Sequence, residues 1–112
     1  MEIIVVNKYH KESGEYIGRG SPLGNPYSHQ KGTTAIYQTA NRYDSVRSYK
    51  DWLDGKIAEE DPAILNELMR LFELAQQGPL KLACFCAPQK CHGEIIRDVL
   101  LKANETYLQN NP

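Results

Sequence analysis

The sequence predicts a single α/β domain, a small three-layer Rossmann-like fold around a parallel sheet core. Three observations lead there. Two short segments, Glu2-Ile3-Ile4-Val5-Val6 and Leu80 to Cys86, are apolar along most of their length, as interior strands are. The residues between them carry helical periodicities, so the two strands are joined by a crossover, which is how parallel neighbours must be connected. A chain of 112 residues, 41% hydrophobic and 24% charged, has length for one core and not for two. At this size folding removes roughly 65% of the unfolded chain's surface from water, so disulfides or a structural metal are optional.

The elements follow in order. The first strand is β-branched and ends at Asn7. From His10 to Gly32 the chain carries five glycines with Pro22 and Pro26, too much punctuation for a helix, although Tyr16-Ile17 can pair briefly. A loop this long in a compact domain is usually functional. Residues 33–43 fit a short helix or a turn. From Asp44 or Ser45 as N-cap, Val46, Tyr49, Trp52, Leu53 and Ile57 recur at helical spacing. Asp61-Pro62 supplies a cap and a proline at the first helical position, and Ile64, Leu65, Leu68, Met69, Leu71, Phe72 and Ala75 form a broad apolar face ending at Gly78-Pro79. Leu80 to Cys86 is the second interior strand, with Leu80, Leu82, Cys84 and Cys86 on one face and Ala83 and Phe85 on the other. A last helix starts at Cys91 or His92 and turns Ile95, Ile96, Val99, Leu100 and Ala103 inward as far as Leu108. Residues 1–108 form the domain, and 109–112 are expected to be a flexible tail.

Charge and hydropathy exclude several classes. Thirteen Lys and Arg against fourteen Asp and Glu give a net charge of -1, so the chain does not hold nucleic acid by bulk electrostatics. Any anion must be held locally. No apolar run approaches the roughly 20 residues of a membrane span, and the start lacks a signal-peptide pattern, so a cytoplasmic protein is expected. Three Cys within eight positions make a poor disulfide framework and suit reduced thiols in a site.

If the two strands are parallel, the segments that follow them meet on one rim, where open parallel sheets bind ligands. The first, Tyr16-Ile17-Gly18-Arg19-Gly20-Ser21-Pro22-Leu23-Gly24-Asn25-Pro26, offers backbone amides at glycines, a hydroxyl on Ser21 and a guanidinium on Arg19. Those parts suit a phosphate, carboxylate or ribose. The segment matches neither the dinucleotide-binding nor the P-loop pattern, and a tight glycine-proline loop with Arg19 pairing an acid is the structural alternative.

The second segment, Leu82 to Glu94, admits three readings. Zinc on Cys84, Cys86, Cys91 and His92 requires a distorted strand, because side chains two apart on a regular strand lie about 6.5 Å apart, against about 3.8 Å for two thiolates on one zinc. Alternatively Cys91, near a helix start, is a nucleophile with His92 or Glu94 as acid or base. In the third, Cys84 and Cys86 are small core residues and Cys91-His92-Gly93 opens a helix whose amides meet the ligand. His10 and His29 are expected in solvent, and Tyr43, Tyr49 and Trp52 as helix-face packing. Asn7, at a strand end, suits a hydrogen bond to a sugar or base.

Val5-Val6-Asn7, the Tyr16 to Pro26 loop and Cys84-Phe85-Cys86-Ala87-Pro88-Gln89-Lys90-Cys91-His92-Gly93 together resemble a family of short bacterial and phage proteins called domain of unknown function forty-three twenty-six. The resemblance spans nearly the whole chain and implies a shared site at Asn7, Gly18, Arg19, Gly20, Gly24, Asn25, Cys86, Cys91 and His92. The later segment is also similar to a strand-to-helix Cys-His element of another α/β family, in which an Arg follows the His; this chain has Gly93 there.

The expectation is therefore a rim site for a phosphate-bearing small molecule, with a nucleotide or nucleotide derivative as the first candidate. Arg19 and the amides of Gly18, Gly20 and Gly24, with Ser21, would hold phosphate; Asn7 and Asn25 would hold ribose or base; the helix start at Cys91-His92 would complete the pocket, with Cys86 and Gly93 also expected to bind the ligand. Cys91, His92 and Glu94 would serve cleavage or transfer at a glycosidic or phosphate ester bond. No cofactor and no metal ligand are assigned. A homodimer is expected to complete the small sheet. The alternatives are a non-catalytic nucleotide-sequestering or partner-binding protein, of phage or bacterial origin, and a zinc-stabilised interaction domain.

Overall fold

A computed structural model describes residues 1–8, 13–28, 37–39, 41–84 and 91–111. Along the chain run β1 (Ile3–Asn7), β2 (Glu15–Tyr16), β3 (Tyr27–Ser28), β4 (Tyr37–Gln38), α1 (Arg42–Ala58), α2 (Pro62–Gln77), β5 (Leu80–Cys84) and α3 (His92–Asn110). The fold is mixed α/β. Among the described residues the main sheet has three strands in the order β1-β5-β2, all parallel, and β3 pairs with β4, also parallel, in a second small sheet.

The parallel pair inferred from the two apolar segments is present, with Ile3 opposite Leu80 and Asn7 opposite Cys84. The brief pairing at Tyr16 is β2, which lies against β5 and continues through a bond from the Ile17 N–H to the Ala83 carbonyl at 3.0 Å. Residues this short take their strand geometry from the neighbour rather than from propensity. Phe85 and Cys86, the expected end of the second strand, lie outside the described residues.

The helices follow their caps. Asp61 accepts from the Ala63 and Ile64 amides, Pro62 opens α2, and Gly78 closes it, as the sequence predicts. α1 starts earlier than expected. Asn41, not Asp44 or Ser45, is the N-cap, its side chain accepting from the Asp44 N–H at 2.9 Å. Asp44 then sits in the first turn, where a negative charge complements the helix dipole. In the segment 33–43, which fits a helix or a turn by sequence, Tyr37–Gln38 is extended as β4 and residues 33–36 and 40 lie outside the described set. α3 runs to Asn110, two residues beyond its expected end, with Gln109 and Asn110 exposed.

Alternation along the paired strands puts Ile3, Val5, Asn7, Leu80, Leu82 and Cys84 on one face of the sheet. The main buried cluster takes Ile3, Leu80, Leu82 and Cys84 from that face and joins them to Tyr49 and Leu53 of α1, Ile64, Leu68 and Leu71 of α2, and Ile96 and Leu100 of α3. All three helices therefore contribute to one core. On the other face Val6 and Ala83 are buried, whereas Lys81 is exposed and Ile4 is 41% exposed. Arg70 of α2 pairs with Glu15 of β2 and with Glu67, pinning the short outer strand to the helix layer. No helix among the described residues is long and apolar enough to cross a membrane.

Candidate functional site

Because β1, β5 and β2 are parallel, Asn7, Cys84 and the Tyr16-Ile17 step all reach the same edge of the sheet. The two segments singled out by sequence meet there. His92 at the start of α3 lies 2.6 Å through Nε2 from the carbonyl of Ile17 at the end of β2. A carbonyl only accepts, so Nε2 carries the proton and donates. In the neutral ring Nδ1 is then an acceptor, and Cys91 Sγ lies 3.4 Å from it. The edge of the imidazole ring packs against Tyr49, with centroids 5.0 Å apart and planes at 71°. Burial holds His92 below its ordinary value of 6.5, partly offset by the Ile17 hydrogen bond, and the nearby Arg19 charge pushes the same way as burial. His92 is neutral at pH 7.

Cys91 is the N-cap of α3, with Sγ accepting from the Gly93 N–H at 3.4 Å. Glu94 closes the cap from the other side, its carboxylate accepting from the Cys91 N–H at 3.1 Å. Cys91 Sγ also lies 3.1 Å from Cys84 Sγ, and neither thiol is in a disulfide. Gly93 is buried because the helix start lies against the sheet: a Cβ there would come within 3.0 Å of both Ile17 Cδ1 and Val5 Cγ1. The three candidate catalytic residues are thus adjacent, with Cys91 2% and His92 6% exposed. Asn7, 8% exposed, stands beside them at the end of β1. Among the described residues no group of three His, Cys, Asp or Glu is arranged to hold a metal. Cys86, a member of the zinc alternative and of the expected ligand set, lies outside them, as do His10 and His29.

The glycine-rich loop is wound on itself. Ser21 returns to the Gly18 carbonyl through its backbone N–H at 3.0 Å and its hydroxyl at 2.7 Å, and the Gly24 N–H reaches the Ser21 carbonyl at 3.1 Å. A Cβ on Gly24 would stand 2.6 Å from the Gly18 oxygen, so this glycine is demanded by the loop's own backbone. Gly20 differs: its φ is +98° and, among the described residues, nothing lies within 4 Å of where a Cβ would be, an open left-handed turn. Asn25 accepts from the Tyr27 N–H at 2.9 Å and donates to Ser45 Oγ at 3.0 Å, fastening the loop to α1. Tyr49 does the same from below, donating its hydroxyl to the Leu23 carbonyl at 2.8 Å. Its burial raises the phenol far above its ordinary value, so the hydroxyl stays a donor.

Among the described residues, two exposed cations lie at this edge, Lys8 and Arg19. Arg19 is exposed, with one guanidinium N–H group 3.5 Å from the Tyr27 carbonyl. Tyr16 links it to a second cation, donating its hydroxyl to the Arg19 carbonyl at 3.0 Å while Lys8 Nζ sits 4.7 Å above its ring. Lys8 was not among the residues the sequence marks; a lone lysine one residue past a strand carries no signal until the strand order is known. Ser45 and Tyr49, which hold the loop, look by sequence like a helix cap and a packing residue.

Residues 5–102 match the family described as Domain of unknown function (DUF4326). No curated protein matches the chain, and no solved structure does.

Proposed function

The chain belongs to the DUF4326 family, and we propose that it binds a phosphate-bearing small molecule, a nucleotide or nucleotide derivative, at the carboxyl edge of its parallel sheet. The observation that carries this reading is the pair of cations where the three parallel strands end, Lys8 over the Tyr16 ring and Arg19, whose backbone carbonyl accepts from the Tyr16 hydroxyl. In a chain of net charge -1, Lys8 over the Tyr16 ring and Arg19, whose guanidinium reaches the Tyr27 carbonyl, put two cations at one edge of the sheet, a local anion site without bulk basic character. Gly20, open and left-handed next to Arg19, lets a phosphate approach the backbone there, and Asn7 lies at the same edge for a ribose or base.

Titration calorimetry with ADP, inorganic pyrophosphate and adenosine tests the reading. ADP and pyrophosphate bind and adenosine binds more weakly. Arg19→Ala weakens ADP by at least about tenfold, roughly 1.4 kcal/mol, while the melting temperature stays put because the side chain is exposed. Equal affinity in wild type and Arg19→Ala refutes it.

Binding without turnover is favoured over hydrolysis or transfer by one observation. Glu94 already caps the Cys91 N–H, and His92 already donates to the Ile17 carbonyl, so the three catalytic candidates hold the site together. Incubation with ADP or a nucleoside then leaves the small molecule unchanged by mass; release of free base or phosphate, lost in Cys91→Ser, assigns catalysis. On this reading the core is Rossmann-like, the setting cytoplasmic, and the chain a homodimer whose second copy covers the face bearing Ile4; sedimentation of wild type and Ile4→Lys tests the dimer.

A further inference from the structure

Cys84 and Cys91 come from different elements, the end of β5 and the N-cap of α3, yet their sulfurs are 3.1 Å apart and neither is in a disulfide. Reaching the bonded length of about 2 Å takes roughly an ångström of side-chain movement. The surroundings also favour the reaction. The amino end of α3 stabilises negative charge on Cys91 Sγ, and the Gly93 N–H already donates to it. Nδ1 of His92, 3.4 Å away and made an acceptor by the Nε2 bond to Ile17, is placed to take the thiol proton.

We propose that Cys84 and Cys91 are a reversible dithiol–disulfide pair that a peroxide oxidises. Cys91 gives its proton to Nδ1 and its thiolate attacks one peroxide oxygen. The O–O bond breaks, leaving a sulfenic acid on Cys91 and a hydroxide that the imidazolium neutralises to water. Cys84 then attacks Cys91 Sγ, the S–O bond breaks, and the departing hydroxide takes the Cys84 proton. Two thiols and one hydrogen peroxide become one disulfide and two waters; the two electrons lost by sulfur reduce the peroxide. Both thiols are nearly excluded from solvent, which selects a small oxidant over glutathione disulfide. The pair acts on the protein itself and requires no ligand at the rim.

Lys81 and Lys90 bracket Cys84, and Lys90 precedes Cys91, so trypsin leaves the thiols on two peptides, Leu82 to Lys90 and Cys91 to Arg97. The full-length Cys86→Ser variant, in which Cys84 and Cys91 are the only thiols, is treated with hydrogen peroxide, alkylated, and digested without reductant. The expected result is one linked peptide pair, a whole-chain mass lower by two hydrogens, and return of both alkylatable thiols with dithiothreitol. Glutathione disulfide gives the link more slowly. A folded Cys86→Ser chain that yields no linked pair, or only sulfinic and sulfonic acids, overturns the proposal. In wild type the link persists and Cys84→Ser loses it; a link that survives in Cys84→Ser and joins Cys86 to Cys91 also overturns it.

Discussion

His92→Ala removes the bond that joins the two halves of the rim, and its magnitude follows from the geometry. His92 is 6% and Ile17 1% exposed, so the Ile17 carbonyl that loses the 2.6 Å donor gains little from water. An unpaired buried carbonyl costs about 1 to 3 kcal/mol, and loss of the ring contact with Tyr49 adds about 0.5 to 1 kcal/mol. The expected destabilisation is roughly 1.5 to 4 kcal/mol, or about 6 to 20 °C in melting temperature for a domain of this length. His92→Gln offers an N–H near the position of Nε2 and recovers most of the loss. The assay is denaturant unfolding followed by the fluorescence of the single tryptophan, Trp52, at pH 7.5. An Ala variant within about 0.5 kcal/mol of wild type, or a Gln variant no better than Ala, breaks the argument.

The same histidine makes stability depend on pH. Its folded value is depressed, so below about 6.5 the unfolded chain binds a proton that the native chain refuses, and stability falls with a slope of up to about 1.4 kcal/mol per pH unit until the native ring titrates. His92→Gln flattens that slope between about pH 6.5 and 5, read from unfolding midpoints. Gly24→Ala and Gly20→Ala should separate. The first forces a Cβ onto the Gly18 carbonyl and lowers stability by about 2 kcal/mol or more; the second strains only its own φ, by about 1 kcal/mol. Comparable midpoints for the two variants would show that the loop is not wound as described. Asp61→Ala removes both cap bonds of α2 and costs about 1 kcal/mol by the same assay.

Strong patterns were legible in the chain. Continuous apolar runs placed β1 and β5, and cap, proline and glycine bracketed α2, because each of those signals acts within a few residues. β3 and β4 were not legible: two residues each carry no period, and β3 packs against α1, which lies beyond any local signal. The start of α1 was misplaced because Asn41, Asp44 and Ser45 are all competent caps; Ser45 Oγ is engaged elsewhere, accepting from Asn25 and donating to the Tyr27 carbonyl, and Asn41 caps.

At the site, parallel pairing foretold that the two motifs would meet, but the residues that join them lie 75 positions apart in sequence. The motif glycines carried a signal of tight backbone, and sequence could not say what they were tight against. For Gly24 and Gly93 it is the protein's own Gly18, Val5 and Ile17. Asn25 likewise looked like a ligand donor and holds Tyr27 and Ser45.

The most direct test of the rim site is native mass spectrometry of wild-type protein and the Lys8→Ala/Arg19→Ala double variant, each mixed with an equimolar set of nucleoside mono-, di- and triphosphates. The expected result is a nucleotide-sized adduct on wild type that is lost in the double variant, with both chains folded. A wild-type chain that takes up none of them, or a double variant that keeps the adduct, contradicts it.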